Sequence, residues 1–247
     1  MLVNGLRRLN RIGSDDLLRH GGLLAGSTGL GMVILLVFNI VMARSLGPED
    51  FGALGALLGI FAVTSQLSNA VQLTVARSVS QARASANLEM MRSVVMSCAR
   101  YLVVLALGLF LGFLLLSPLV SHFLHLSSAV PVILLGLSTS FYLVLPVFRG
   151  ALQGLQNFRQ LVVVRLSESA FLLAAAVVLV HVGLGLSGVM VALGLAGLAV
   201  LALAALPVRG LVARGVKLMD WRQVVLPGLA TLFTVAFISA LSNVDLV

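Results

Sequence analysis

Gln66, Asn69 and Gln72 recur at every third residue of an apolar stretch, with Ser65 and Ser68 beside them. On a helix this spacing gathers the amides on one broad face. Asn39 is a further amide inside an apolar run, and Asn243 and Asp245 lie in another. Arg44, Arg77 and Arg149 stand at the ends of apolar runs. Amides hydrogen-bond sugar hydroxyls, and guanidinium groups hold phosphates with a planar, bidentate fork. The set can therefore bind a polar anion, but it lacks the parts for making or breaking bonds. There is no Walker motif, no HExxH, no GxSxG and no pair of catalytic carboxylates.

Each of these residues also has a structural explanation. Amides in an apolar helix can simply hydrogen-bond a neighbouring helix. The alternative for Asn39, Gln66, Asn69 and Gln72 is the polar wall of a cavity. Arg44 suits an interfacial anchor, or a contact to an anionic ligand on the outer side. Arg77 and Arg149 suit topology determinants, or phosphate contacts at a cavity mouth. Arg165 and Glu168, three apart, can pair on one helical face as a structural ion pair. Asp245 is an acid within a span, so it can bind an ion or hold a cavity arginine. His122 and His125 lack a third ligand and make a poor metal site, so no metal or cofactor is expected.

The elements carrying these residues follow from composition. The chain has 247 residues, 60% of them hydrophobic and only 10% charged. Soluble domains carry about 25% charge, so the class is an all-α, polytopic membrane protein. The net charge of +8 sits in short clusters between apolar runs, which argues against nucleic acid as a partner. The single cysteine, Cys98, excludes an internal disulfide. Met1 to Gly22 places leucines at helical spacing opposite Arg7, Arg8 and Arg11. It reads as a cytoplasmic amphipathic segment on membrane lipid, and Ser14 suits an N-cap with Asp15 and Asp16 in the first turn after it.

Spans are expected at Leu23 to Ala43, Ala53 to about Val75 (continuing as helix past Gln81), and Cys98 to Leu116, closed by Pro118. Three more run from Ala129 to Phe148, Leu161 to Val182 and Ser187 to Leu206, the last stopped by Pro207. Pro146 should loosen the end of the fourth. Gly47 should take a left-handed turn between the first two, and Pro48 should open the second. A seventh span starts near Val224. The expected organisation is thus a six-helix N-terminal bundle over 23–206, a basic cytoplasmic loop over 207–223, and over 224–247 the start of a second bundle. Glycines four apart (Gly22 and Gly26, Gly55 and Gly59, Gly150 and Gly154) predict close helix packing.

Charge orients these spans. Of the 16 basic residues, only Arg44 falls on one side, together with Glu49 and Asp50. All the others cluster before the first span or in the loops after the second, fourth and sixth. The positive-inside rule then puts the N-terminus in the cytoplasm. The seventh span repeats the direction of the first, and Asn39 of VFNIVMARSLG aligns with Asn243 of ALSNVDLV. Such parallelism suggests a duplicated six-helix unit. The chain is therefore expected to be the first half of a longer protein, cut within its seventh span.

Three stretches carry a resemblance: ARSLGPEDFGALGAL (Ala43 to Leu57), FRGALQGLQNF (Phe148 to Phe158) and LSNVDLV (Leu241 to Val247). With the span pattern, the chain resembles the bacterial polysaccharide and O-antigen flippases of the multidrug/oligosaccharidyl-lipid/polysaccharide exporter superfamily, from about Asp15 onward. The resemblance implies one of two bundles facing a central cavity in the bacterial inner membrane. It also implies transport of an oligosaccharide on polyprenyl diphosphate from the cytoplasmic to the periplasmic leaflet, by alternating access. The implied partners are this lipid-linked glycan, membrane lipids and the missing C-terminal half; the coupling ion is left open. A drug/cation antiporter of the same superfamily would favour several acids in the spans, where the first six spans offer only Glu168. A membrane enzyme would need an acid or histidine cluster at one face, or a large extramembrane domain. A non-transporting membrane scaffold is the remaining alternative.

Overall fold

A computed structural model describes residues 2–126 and 128–211. Side chains of residues 2–21, 23, 24 and 65–67 lie outside the described ones, as do the seventh span, Asn243 and Asp245. Within the described residues every regular element is helical: α1 (Leu2–Ala84), α2 (Leu88–Phe123), α3 (Val130–Gly154), α4 (Phe158–Leu179) and α5 (Gly185–Ala205). A π-helical turn (Val180–Leu184) joins α4 to α5, and a 3₁₀ turn (Leu206–Leu211) follows α5. Among the described residues, four stretches are long and apolar enough to cross a membrane: Ala25–Ala84, Leu88–Phe123, Val130–Gly154 and Phe158–Leu211.

Two of these stretches are broken by glycine. α1 is interrupted at Gly47, whose φ of 76° and ψ of 170° make its backbone non-helical. This is the mirror-extended region that only glycine enters readily, rather than the left-handed helical turn expected from the sequence. Pro48 comes directly after it and opens the second arm of α1. The two arms fold back on each other, so that Phe38, Met42, Leu54 and Leu57 share one buried cluster. The second break is at Gly183 (φ 92°) and Gly185 (φ 51°). It lies at the same end of the bundle, since a Cβ on Gly185 would be 3.6 Å from Asp50 Oδ2.

The opposite end carries two turns of one design. In each, a residue with positive φ (Ala86, Gln156) precedes an asparagine that caps the next helix. Asn87 Oδ1 accepts from Met90 N at 2.9 Å, and Asn157 Oδ1 from Gln160 N at 3.4 Å. Arg83 Nη1 donates to the Leu155 carbonyl and ties the turns together. Arg92 Nε donates to the Gly210 carbonyl at 3.2 Å, which brings the 3₁₀ turn to this end as well. The chain therefore alternates between two ends, one holding Gly47 and Gly183, the other these turns.

Several expected helix ends move. Pro118 lies inside α2, which continues to Phe123. Proline removes the N–H that would bond the Leu114 carbonyl, and Ser117 Oγ donates to that oxygen instead at 2.8 Å. Pro146 likewise lies inside α3, which runs on to Gly154. The Tyr142 carbonyl left without its usual donor receives Ser68 Oγ from α1 at 3.5 Å. Ser14 does not start a helix, because α1 begins at Leu2 and passes through it.

Apolar packing is split between the two ends. Val75, Val79, Val95, Leu102, Leu145, Val147 and Leu152 form the core near the Asn-capped turns. Phe38, Met42, Leu57, Leu135, Val189 and Met190 form the core near Gly47. Large apolar residues also face outward, among them Val104, Leu107, Leu115 and Leu119 of α2. Such an outward apolar surface suits lipid in place of water. Tyr142 packs against both cores and stands where they part.

Candidate functional site

Between the two cores the bundle is polar. α3 and the second arm of α1 meet along a glycine seam that fixes this region. A Cβ on Gly150 would lie 2.6 Å from the Gln72 carbonyl oxygen, and one on Gly154 would lie 2.7 Å from that of Ala76. Only glycine lets the backbones approach so closely. By contrast, Gly22, Gly26, Gly55 and Gly59 meet no described atom within 4 Å. Of the three glycine pairs, Gly150 and Gly154 alone make the close approach expected.

Arg149 immediately precedes this seam and turns into the bundle. Its Nη2 pairs with Glu168 Oε2 of α4, and the two side chains are 15% and 25% exposed. The sequence pairs Glu168 with Arg165, three residues away, but Glu168 reaches across to α3 instead. The reason is geometric: Arg149 is held inside the bundle by the seam, where a charge without a counter-ion would be costly. Arg165 stays within electrostatic reach of both partners, which adds a second guanidinium to one carboxylate. Arg149 Nε is buried and has no hydrogen-bond acceptor among the described residues.

A cavity of about 560 Å³ opens beside this cluster, between the first arm of α1 and α4. Ser27, Thr28, Asn69, Gln72, Tyr142 and Ser169 line it with Arg149, Arg165 and Glu168. Its other walls are apolar: Met32, Ile34, Leu35, Phe38, Leu58, Phe61, Leu172 and Leu193, with Gly31 between the two kinds. A smaller recess of about 100 Å³, at Thr64, Ser68, Thr139 and Pro146, shares Asn69, Gln72, Tyr142, Arg149 and Glu168. Tyr142 is positioned from two sides. Phe61 meets it edge-on with centroids 4.9 Å apart, and a Cβ on Gly197 would lie 2.8 Å from its Cε2.

The residues singled out from sequence fare differently. Asn69, Gln72 and Arg149 come together at the cavity. Gln72 is buried, and its Nε2 donates to Gln153 Oε1 of α3 at 2.9 Å. Asn69 is exposed to the cavity. The Gln66 side chain lies outside the described ones. Asn39 turns back on its own helix, donating to the Leu35 carbonyl at 2.8 Å, and lines neither cavity. Arg44 and Arg77 are exposed and stand apart from both. Sequence reasoning missed Ser27, Thr28, Tyr142 and Ser169, whose types are ordinary in apolar helices. It also missed the Arg149–Glu168 pair, although an acid inside a span was the signal for it.

The chain is a helical bundle with outward apolar faces and a charged internal cavity. Solved structures share this fold. A MOP superfamily transporter from Pyrococcus furiosus, described as having a binding pocket of reverse polarity, superposes with a TM-score of 0.72 at 14% identity. The match covers 88% of this chain and 52% of that one. An outward-facing multidrug resistance MATE family transporter of the same superfamily gives 0.70 at 14% identity, over 88% of this chain and 53% of that one. A MATE structure in complex with Br-NRF gives 0.68 at 15%, over 85% and 52%. The chain thus spans about half the length of the structures it matches. The family model described as "Polysaccharide biosynthesis protein" matches residues 17–247, and the chain belongs to that family. Comparison with curated proteins finds no match. The fold is the one these transporter structures have.

Proposed function

We propose that this chain forms one bundle of an exporter that flips a polyprenyl-diphosphate-linked oligosaccharide from the cytoplasmic to the periplasmic leaflet of the bacterial inner membrane. The observation that carries this reading is the charge of the cavity: Arg149 and Arg165 against Glu168, a net positive site rimmed by amides and hydroxyls. A positive site in a low-dielectric bundle attracts a diphosphate and repels organic cations. Asn69, Ser27 and Thr28 offer the donors and acceptors that sugar hydroxyls require. The drug/cation antiporter reading calls for the opposite charge.

In this reading the breaks at Gly47 and Gly183, the two Asn-capped turns and the connection between α2 and α3 divide the bundle into six crossings. The end carrying Arg83, Arg92, Arg159 and Arg209 is cytoplasmic, as is the N-terminus. A second bundle of similar size faces the cavity, in keeping with matched structures about twice as long. Rocking of one bundle against the other then exposes the site to alternate sides. Proteoliposomes holding the whole exporter, both bundles, test the proposal. A labelled polyprenyl-diphosphate oligosaccharide should pass from inner to outer leaflet, and substitution of both Arg149 and Arg165 by Gln should abolish the transfer. Unchanged transfer in that variant would refute it.

A further inference from the structure

We propose that Glu168 is a resident counter-anion, which an incoming prenyl diphosphate displaces from Arg149; this rests on the anionic-substrate reading above. Four observations carry it. First, the pair is single-pointed: Arg149 Nη2 meets one Glu168 oxygen, and the buried Nε has no acceptor among the described residues. A guanidinium built only for structure would present its planar fork to both carboxylate oxygens. Here part of the fork is unused, and a diphosphate has the oxygens to fill it.

Second, the charges do not balance. Arg165 lines the same cavity and has no hydrogen bond or ion pair among the described residues, so the site holds more positive charge than Glu168 cancels. An anion of higher charge than a carboxylate therefore outcompetes it. Third, Glu168 has somewhere to go: its side chain is more exposed than that of Arg149 and borders both the large cavity and the small polar recess. Tyr142 lines that recess with a hydroxyl able to donate to the carboxylate.

Fourth, the cavity is amphipathic. The charged groups sit at one end, and Met32, Leu35, Phe38, Leu58 and Leu172 form apolar wall elsewhere. Its volume of about 560 Å³ falls in the range of roughly 300–1,000 Å³ usual for small-molecule sites. That space suits a diphosphate with its first prenyl units. With the site empty, Glu168 neutralises Arg149 and weakens the cavity's hold on small anions. The substrate then wins through its greater charge and its chain together. Glu168 thus sets selectivity by competition, without touching the ligand once it is bound.

The test is equilibrium binding to the protein purified in detergent micelles, with farnesyl diphosphate, inorganic pyrophosphate and farnesol as probes. Farnesyl diphosphate should bind wild type, pyrophosphate more weakly and farnesol not at all. Glu168→Gln should bind farnesyl diphosphate on the order of tenfold more tightly, the scale of a displaced close charge pair. It should also gain pyrophosphate binding, since the resident anion is gone. Glu168→Asp, which keeps the charge but retracts it, should fall between wild type and Glu168→Gln. This second variant reports even if the first does not fold. Arg149→Gln should lose binding. If Glu168→Gln or Glu168→Asp binds no more tightly than wild type while Arg149→Gln loses binding, the competitor role is overturned and the anionic-substrate reading stands. If Arg149→Gln binds as wild type does, both fall. Equal binding of pyrophosphate and farnesyl diphosphate by wild type would overturn the selectivity role.

Discussion

Gly150 and the carbonyl of Gln72 are so close that a single methyl group cannot fit between them: its carbon would lie 2.6 Å from the oxygen. Val75 Cβ, 2.9 Å from the same point, closes the other side. Both neighbours belong to the second arm of α1, so neither can move without moving the helix. Gly150→Ala should therefore force α3 and α1 apart. Overpacking of this kind costs about 1–3 kcal/mol, and thermal unfolding in detergent should show it as a lowered midpoint. Gly55→Ala, with no described neighbour within 4 Å, should leave the midpoint near that of wild type.

The half-buried Arg149–Glu168 pair makes a sharper prediction. Removing one partner leaves the other charge uncompensated. Glu168→Gln should thus lower thermal stability more than the double substitution Arg149→Met with Glu168→Leu. A double-mutant cycle on the unfolding midpoint gives the coupling; a cycle that closes to zero would show the two residues to be independent.

Gln72 and Gln153 should couple weakly. Side-chain hydrogen bonds between membrane helices average about 0.6 kcal/mol. Gln72→Leu should accordingly be tolerated in stability, and the Gln72–Gln153 coupling measured by the same cycle should fall well below that of Arg149–Glu168.

Ser117→Ala tests the repair of α2 at Pro118. Without the Ser117 hydroxyl, the Leu114 carbonyl has lost both its backbone donor and its substitute. Hydrogen exchange around Leu114 should rise relative to wild type, whereas Ser117→Thr should preserve the protection.

Much of the fold was legible in the sequence because lipid imposes long apolar runs between charge clusters. The break at Gly47 was visible in LGPED, and that at Gly183 in the gap between two apolar runs. Pro118 misled, since proline weakens a helix locally but a serine hydroxyl nearby supplies the missing donor. The site was only partly legible. Asn69, Gln72 and Arg149 stand out as polar groups in apolar surroundings. The Arg149–Glu168 pair did not, because spacing along one helix favours Arg165 and says nothing about what a neighbouring helix presents. Tyr142 and Ser169 gain their place from tertiary packing alone.

The central claim is that the cavity is built for an anionic lipid, and binding measures this most directly. Purified protein in micelles would be titrated with a radiolabelled polyprenyl-diphosphate oligosaccharide and, in parallel, with tetraphenylphosphonium. The account predicts saturable binding of the glycolipid, lost when Arg149 and Arg165 are both changed to Gln, and none of the cation. Saturable binding of the cation, with glycolipid binding indifferent to both arginines, would contradict it.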